Sequence, residues 1–328
     1  MVSATEHEAD RLSPEAQFAA GVESLSGSDS DAQLPRAMSL IEEASSSGFA
    51  QATEMCALFE AMGIARPPSW ERAFDRLQAA AEQGSGTAQR QLVLLADRWR
   101  DPEPDGDSGW RPVRRRISLD ELMHSGERVA LSDSPRVRVI RQFASPAECR
   151  WLIDRARDRL RPAMIYDSTG SHVLDPGRSN SATEFQVLDM DLVIELIRAR
   201  ISHATRVPLP VLELTQVFHY SPGEEFKEHH DFLDPENPEH QRHLASHGQR
   251  IATFLIYLNG DFEGGETEFT NLGIRFRGNT GDAIFWANVG TDGAPDRASL
   301  HRGRPPASGE KWILSQWIRD RAARPPGA

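Results

Sequence analysis

Lysine is nearly missing from this chain of 328 residues: among 37 basic residues only Lys227 and Lys311 are lysines. Cysteine is scarce as well. Cys56 and Cys149 cannot build a disulfide framework, and both fall in helix-like sequence, which fits a reducing cytoplasm. No apolar run approaches the ~20 residues needed to cross a bilayer. The opening MVSATEHEADRLSPEAQ is polar and acidic, without the basic and apolar regions of a secretory signal. These absences predict a cytoplasmic protein with no membrane segment. Base is also in deficit. A net charge of −12 disfavours a general nucleic-acid binder.

The deficit is uneven. Residues 1–110 hold 19 acids against 8 arginines, whereas the remainder holds 30 acids against 29 bases and is close to neutral. Hydrophobic residues at 39% and charged residues at 26% describe a globular chain, and its length predicts two domains.

The acidic third matches itself at an offset of 36 residues. Ala16, Ala52 and Ala88 fall in step, as do Ala37 and Ala73, Ile41 and Leu77, Ala44 and Ala80, and Gly48 and Gly84. Each unit reads as two short helices. Small alanines permit close packing, and the glycine past the second helix supplies a left-handed cap. One such unit cannot bury its apolar face alone, so neighbours must stack. The segments AMSLIEEASSSGFAQA and AFDRLQAAAEQGSGTAQ resemble Sel1-like repeats, relatives of the tetratricopeptide family. The resemblance covers residues 14–99 and implies a protein-interaction scaffold; a packing appendage without a partner is the other reading. DPEPDGDSGWRP (101–112) reads as a linker, and Arg111, Arg114, Arg115 and Arg116 as its solvated basic end.

Beyond the linker, residues 146–160 read as a helix with Cys149, Leu152, Ile153, Ala156 and Leu160 along one stripe. A second helix is expected over about 189–204. After Pro210 the period changes to strand-like text: VLELTQVFHY, RIATFLIYLNG, ETEF, DAIFWANV and KWILSQWI, separated by turn residues. A sandwich or a jelly roll would suit, and periodicity does not choose between them.

The chemistry gathers after residue 219. In FKEHHDFLD, residues two apart on a strand share a face, so His229 and Asp231 would project together with His230 opposite. A histidine and a carboxylate are two members of the 2-His-1-carboxylate triad that binds Fe(II) and leaves open positions. Alone, such a triplet is weak. His230 rivals His229 by adjacency. His240, His243 and His247 have ligand-like spacing too, but lie in a segment punctuated by Pro and Asn that reads as a solvated loop. His301 in SLHRG offers the missing histidine. Lys311 follows in GEKWILSQW; a lysine within an apolar strand is costly to bury unpaired and asks for an anionic partner.

Residues 136–319 closely resemble the prolyl 4-hydroxylase branch of the Fe(II)/2-oxoglutarate-dependent dioxygenases. The matching text is FASPAECRWLI, VFHYSPGEEFKEHHDF, RIATFLIYLNGDFEGGETEF, GDAIFWANV and SLHRGRPPASGEKWILSQWIRD. The resemblance implies an α+β chain: a double-stranded β-helix (jelly roll) with supporting helices, behind the all-α repeat domain. It implies His229, Asp231 and His301 as iron ligands, and Lys311 with Tyr257 on the distal carboxylate of 2-oxoglutarate. Tyr220 would line the pocket near the metal, Trp317 its wall, and Arg178 the edge of a peptide groove.

The cofactors implied are Fe(II), 2-oxoglutarate as cosubstrate, dioxygen, and ascorbate to re-reduce iron. The expected reaction hydroxylates a C–H bond, C4 of a prolyl residue in a peptide or protein, with succinate and CO2 as co-products. A protein partner for the acidic repeats is a further expectation. The expected organisation is a disordered N-terminus over 1–13, repeats over 14–100, a linker over 101–135, the dioxygenase over 136–320 and a tail over 321–328. The rival reading from another class is an inactive jelly-roll and repeat interaction module. A cupin-type metalloprotein working without 2-oxoglutarate would leave Lys311 and Tyr257 unexplained.

Overall fold

The computed structural model describes residues 12–26, 30–99, 109–166, 172–174 and 177–322. Most of the expected disordered N-terminus, segment 101–108 of the linker and residues 323–328 of the tail lie outside them. No helix among the described residues is long and apolar enough to cross a membrane.

The chain divides into two compact units. The first comprises residues 1–122 with 187–196, the second 123–186 with 197–328. The first opens with α1 (Pro14–Ser26), α2 (Ser30–Ser46), α3 (Ala50–Met62), α4 (Trp70–Glu82) and α5 (Gly86–Ala96). Helices α1, α3 and α5 start 36 residues apart, the period of the sequence match. Ala37 and Ala73, Ile41 and Leu77, Ala44 and Ala80, and Ala52 and Ala88 are all fully buried, so the repeated small residues are the packing seam. Arginines stitch successive helices: Arg66 reaches Glu42 (2.9 Å) and Glu60 (2.6 Å), and Arg76 also reaches Glu42 (2.9 Å).

Gly48 and Gly84 follow α2 and α4 with φ of 87° and 96°. A Cβ at either would meet nothing within 4 Å, so only backbone conformation demands glycine there. Gly84→Ala is therefore expected to destabilise by about 1–2 kcal/mol, the cost of a left-handed alanine. Urea unfolding checks this; an unchanged midpoint would mean that the turn relaxes freely.

The linker reading needs correction. Residues 109–135 carry α6 (Arg111–Arg115), α7 (Leu119–Met123) and the first strand. Arg114 lies over Phe74 and pairs with Glu71 and Asp75, both at 3.0 Å, so part of the basic run is folded onto α4 rather than solvated. Its apolar spacers Val113 and Leu122 are buried, a pattern too short for periodicity to reveal. Within the same unit, Gln91 of α5 donates to Glu54 (2.7 Å) and accepts from the Leu192 amide (3.0 Å).

The second unit runs β1 (Arg128–Asp133), β2 (Arg136–Ile140), α8 (Pro146–Arg157), β3 (Arg161–Pro162), β4 (Met164–Tyr166), β5 (His172–Leu174) and β6 (Ser181–Glu184). Helix α9 (Leu192–Thr205) begins in the first unit's segment and continues into the second. Next come β7 (Gln216–Tyr220), β8 (Phe226–His229), α10 (Pro238–His247), β9 (Arg250–Tyr257), β10 (Glu263–Gly264), β11 (Thr267–Phe269) and β12 (Ile274–Phe276). The chain ends with β13 (Ala283–Ala287), β14 (His301–Gly303), β15 (Pro306–Ser308) and β16 (Lys311–Arg319).

The major sheet has the order β1-β2-β13-β9-β16-β7-β6-β3 and the minor sheet β12-β11-β14-β8. From β7 onward the chain alternates between them. β7, β9, β13 and β16 belong to the major sheet, and β8, β11, β12 and β14 to the minor. All strand pairs among the described residues are antiparallel, an α+β arrangement consistent with the jelly roll of 2-oxoglutarate oxygenases. Between the sheets pack Leu255, Phe269, Phe276, Ile284, Trp286 and Ile313.

Helix α8 is fixed by a capping box between Ser145 and Glu148, and Glu148 forms a fully buried ion pair with Arg200 of α9 at 2.6 Å. The expected loop of histidines is also corrected. Residues 238–247 form α10, with Asn237 accepting from the Glu239 amide and Pro238 in the first turn. Asn-Pro serves a helix start as readily as a turn, which is why local composition misleads here.

Candidate active site

Two strands of the minor sheet set the site. His301, first residue of β14, is the direct antiparallel partner of His229, last residue of β8. Directly opposed residues place their Cβ atoms about 4.5–5.5 Å apart, so pairing alone brings the imidazoles together. Strand β8 ends at His229, yet Asp231 just beyond it still returns to the same side. Its Oδ1 lies 3.6 Å from His229 Nε2 and its Oδ2 3.5 Å from His301 Nε2. One donor atom from each residue falls within 4.8 Å of the others, and no other such group of three occurs among the described residues. His230 turns the other way and hydrogen-bonds the Arg297 carbonyl at 3.1 Å. His243 and His247 have ring centroids 5.9 Å apart without a third ligand, and His240 Nδ1 accepts from the Asp234 amide at 2.8 Å.

Each imidazole is oriented from behind. His229 Nδ1 lies 2.7 Å from the Lys227 carbonyl and His301 Nδ1 3.0 Å from the Ser299 carbonyl. A carbonyl only accepts, so both Nδ1 atoms carry the proton and both Nε2 lone pairs face the gap. The Phe226 ring stacks on His229 with centroids 3.5 Å apart, and Trp286 meets His301 edge-on at 4.6 Å.

Burial, helped by His301, pushes His229 down to about 3, and burial likewise lowers His301. Burial alone would raise Asp231, but His301, His229 and the Thr253 hydroxyl together hold it below the usual carboxylate range. At neutral pH the cluster therefore presents two neutral imidazoles and one carboxylate. That donor set fits a divalent metal and matches the 2-His-1-carboxylate pattern of non-haem Fe(II) sites.

The pocket over this cluster encloses about 390 Å³ including its open mouth. Alternation along β16 turns Lys311, Ile313, Ser315 and Trp317 into it, and β7 contributes Phe218 and Tyr220. Lys311 is 1% exposed. Its Nζ sits 4.8 Å from the centre of the Tyr220 ring and makes no hydrogen bond or ion pair among the described residues. Burial pushes its pKa down to about 7, opposed only by the charge of Glu266. The Tyr220 hydroxyl, also without a hydrogen-bond partner among the described residues, belongs to the same wall. On β11, next to the pocket residue Thr267, buried Glu268 is flanked by its cross-strand partners Arg275 (2.7 Å) and Arg302 (2.6 Å), and burial's upward push is overcome to leave it at about 2.

Two expected positions differ. Tyr257 does not line the pocket. Its hydroxyl donates to the Phe276 carbonyl (2.9 Å), accepts from the Thr267 amide (3.2 Å) and meets Thr267 Oγ1 at 2.9 Å, so its bonding capacity is taken up. Thr267 and Tyr220 line the pocket in its place. Arg178 is likewise absent from the lining; it stacks on Phe226 at 5.0 Å and Phe218 at 5.6 Å, two rings that do line it. Sequence reasoning also missed Phe226, Thr253, Trp286 and Asn288. For Thr253 a signal exists: it is a hydroxyl residue in the midst of the apolar run IATFLI, on the same side of the strand as Leu255.

Residues 215–319, which hold the triad and Lys311, match the 2OG-Fe(II) oxygenase superfamily. Prolyl 4-hydroxylase 1 of Arabidopsis thaliana is 36% identical over 208 residues, covering 58% of this chain and 71% of that protein. Prolyl 4-hydroxylase 13 of the same plant is 30% identical over 236 residues, covering 64% and 83%. A solved viral collagen prolyl hydroxylase from Paramecium Bursaria Chlorella virus-1 aligns at 28% identity and a TM-score of 0.45, covering 57% of this chain and 98% of that one. Fold, donor set and sequence together define an oxygenase dependent on Fe(II), 2-oxoglutarate and dioxygen. Within that class, the chain belongs to the prolyl 4-hydroxylase family, and it is a prolyl hydroxylase-like dioxygenase.

Proposed function

We propose that this enzyme hydroxylates C4 of a prolyl residue within a peptide or protein, releasing succinate and CO2. The observation that carries the reading is the convergence of His229, Asp231 and His301 beside Lys311, a fully buried lysine with no counter-ion in contact among the described residues. His229 Nε2, His301 Nε2 and an Asp231 oxygen would hold Fe(II), which supplies, with dioxygen and 2-oxoglutarate, the oxidising power for the C–H bond. Lys311 would pair with the distal carboxylate of 2-oxoglutarate, with the Tyr220 hydroxyl as its companion.

Phe218, Phe226 and Trp317 form an aromatic wall suited to a pyrrolidine ring, and Trp317 offers a buried indole N–H without a partner among the described residues. Arg178 would steady that wall through Phe226 and Phe218. The exposed remainder of the mouth suits an extended peptide. Ascorbate would restore iron after turnovers that miss the substrate. Two buried free thiols, Cys56 and Cys149, support a reducing, cytoplasmic setting. The 36-residue repeat of buried alanines supports a Sel1-like array, which would recruit a protein partner through its acidic surface.

The test needs no substrate. Fe(II) and 2-oxoglutarate added without oxygen should give a visible metal-to-ligand charge-transfer band in the wild type and none in Asp231→Ala. A folded wild-type protein that gives no band would refute the cofactor assignment. A proline-rich peptide that gains 16 mass units and releases succinate would establish the substrate class.

A further inference from the structure

One oxygen of the Asp231 carboxylate is already taken. Thr253 of β9, 1% exposed, places its Oγ1 2.6 Å from Asp231 Oδ2. The same Oγ1 lies 2.9 Å from Nδ2 of Asn288, which is fully buried. An ionised carboxylate only accepts, so the single hydroxyl proton must point at Asp231, and the Thr253 lone pair receives the Asn288 N–H. Asn288 is itself anchored by backbone bonds, its amide to the Ile251 carbonyl (2.9 Å) and its carbonyl from the Asp296 amide (3.0 Å). The chain of donors therefore runs one way, from the edge of β13 through β9 to Asp231.

We infer that Thr253, oriented by Asn288, is a positioning residue that holds Oδ2 aside so that Asp231 offers the metal Oδ1 alone. The inference rests on the metal-site reading above and deepens it. A carboxylate free to rotate could present both oxygens and occupy a position needed by cosubstrate or dioxygen. Fixing one oxygen limits Asp231 to a single bond and keeps that position open. The residue type follows. A valine at 253 would fill the same space on the strand, so packing alone gives no reason for a hydroxyl in this buried place.

The experiment compares wild type, Thr253→Val, Thr253→Ser and Asn288→Ala as full-length apoproteins titrated with Co(II) under nitrogen, without 2-oxoglutarate. Affinity is read by calorimetry and ligand geometry by the visible d–d spectrum. Thr253→Val is expected to weaken Co(II) binding about 10–100-fold and to alter the spectrum, while Thr253→Ser stays within about threefold of wild type. Asn288→Ala should fall between them. Thr253→Val binding as wild type does, with the same spectrum, overturns the inference. Equal loss in Val and Ser variants also overturns it, because that pattern marks packing rather than the hydroxyl. If Thr253→Val fails to fold, wild-type affinity and spectrum in Asn288→Ala overturn it instead. A folded wild type that binds no Co(II) fails at the earlier step, the metal site itself.

Discussion

Asp231→Ala should leave a folded protein with no measurable iron-dependent hydroxylation. The substitution removes the only anionic donor of the cluster and leaves two neutral imidazoles facing a divalent cation. Changes to groups that merely support metal ligands cost about 10–100-fold, so loss of a ligand that carries the charge should exceed that range. Folding should not be the cause of the loss. Asp231 is 5% exposed, and His301, His229 and the Thr253 hydroxyl outweigh its burial and hold its carboxyl below the usual range. A carboxyl whose pKa is lowered on folding adds stability at neutral pH, so Asp231→Ala should melt below wild type, and the assay is run below the melt of the variant. The check is succinate release with saturating Fe(II) and peptide, paired with a thermal melt. Retention of more than a few per cent of wild-type turnover would remove Asp231 from the metal. Asp231→Glu is the informative companion, because an added methylene cannot keep both the Thr253 hydrogen bond and the original ligand position.

What could be read from the chain alone follows from how local each cause is. The repeat was legible because its seam is made of alanines and a glycine cap at fixed spacing, and Gly48 and Gly84 do sit at positive φ. The three members of the cluster were legible because HxD is local and the flanking text around His301 is extensive. The pairing that joins them was not. Nothing in SLHRG says that His301 will oppose His229, since register between β14 and β8 is set by the alternation of strands between two sheets. Strand alternation is not what puts His229 and Asp231 on one side, because β8 stops at His229 and the turn beyond it returns the carboxylate. Tyr257 shows the limit of carrying a role across by position: its place on β9 fits, but Phe276 and Thr267 claim its hydroxyl. The helix of His243 and His247 shows another limit. Asn, Pro and several histidines look like loop composition, and only Asn237 acting as cap, with Arg321 donating to the Leu244 and Ala245 carbonyls at the far end, makes the segment helical.

Lys311→Met should do two things at once: stabilise the ligand-free protein and destroy its affinity for 2-oxoglutarate. Burial lowers the lysine to about 7, against about 10.4 in an unfolded chain. Between those values the unfolded state binds the extra proton, so stability rises with pH across that window, and the whole penalty stands below about pH 7. A shift of that size is worth on the order of 5 kcal/mol, an upper bound, since replacing a buried charge with a well-packed apolar side chain gains about 1–4 kcal/mol.

Urea unfolding of the apoprotein at pH 6.5 should show this gain, and the difference between variant and wild type should shrink toward pH 10. A methionine variant less stable than wild type at pH 6.5 would mean that Lys311 has a partner in the free protein. The penalty has a function. Asp231, a divalent iron, a 2-oxoglutarate dianion and a protonated Lys311 carry charges that sum to zero, so iron and the dianion together load the pocket without leaving a net charge. Without the ammonium, one carboxylate of the cosubstrate would be buried alone, and its affinity for the Mn(II)-loaded protein should fall at least 100-fold by calorimetry, the cost of an unpaired buried charge being about 3–5 kcal/mol. In the wild type only the ammonium form pairs, so affinity should hold below about pH 7 and decline above it, by up to tenfold per pH unit. The methionine variant should show no such slope, and an equal slope in both proteins would assign the proton to another group.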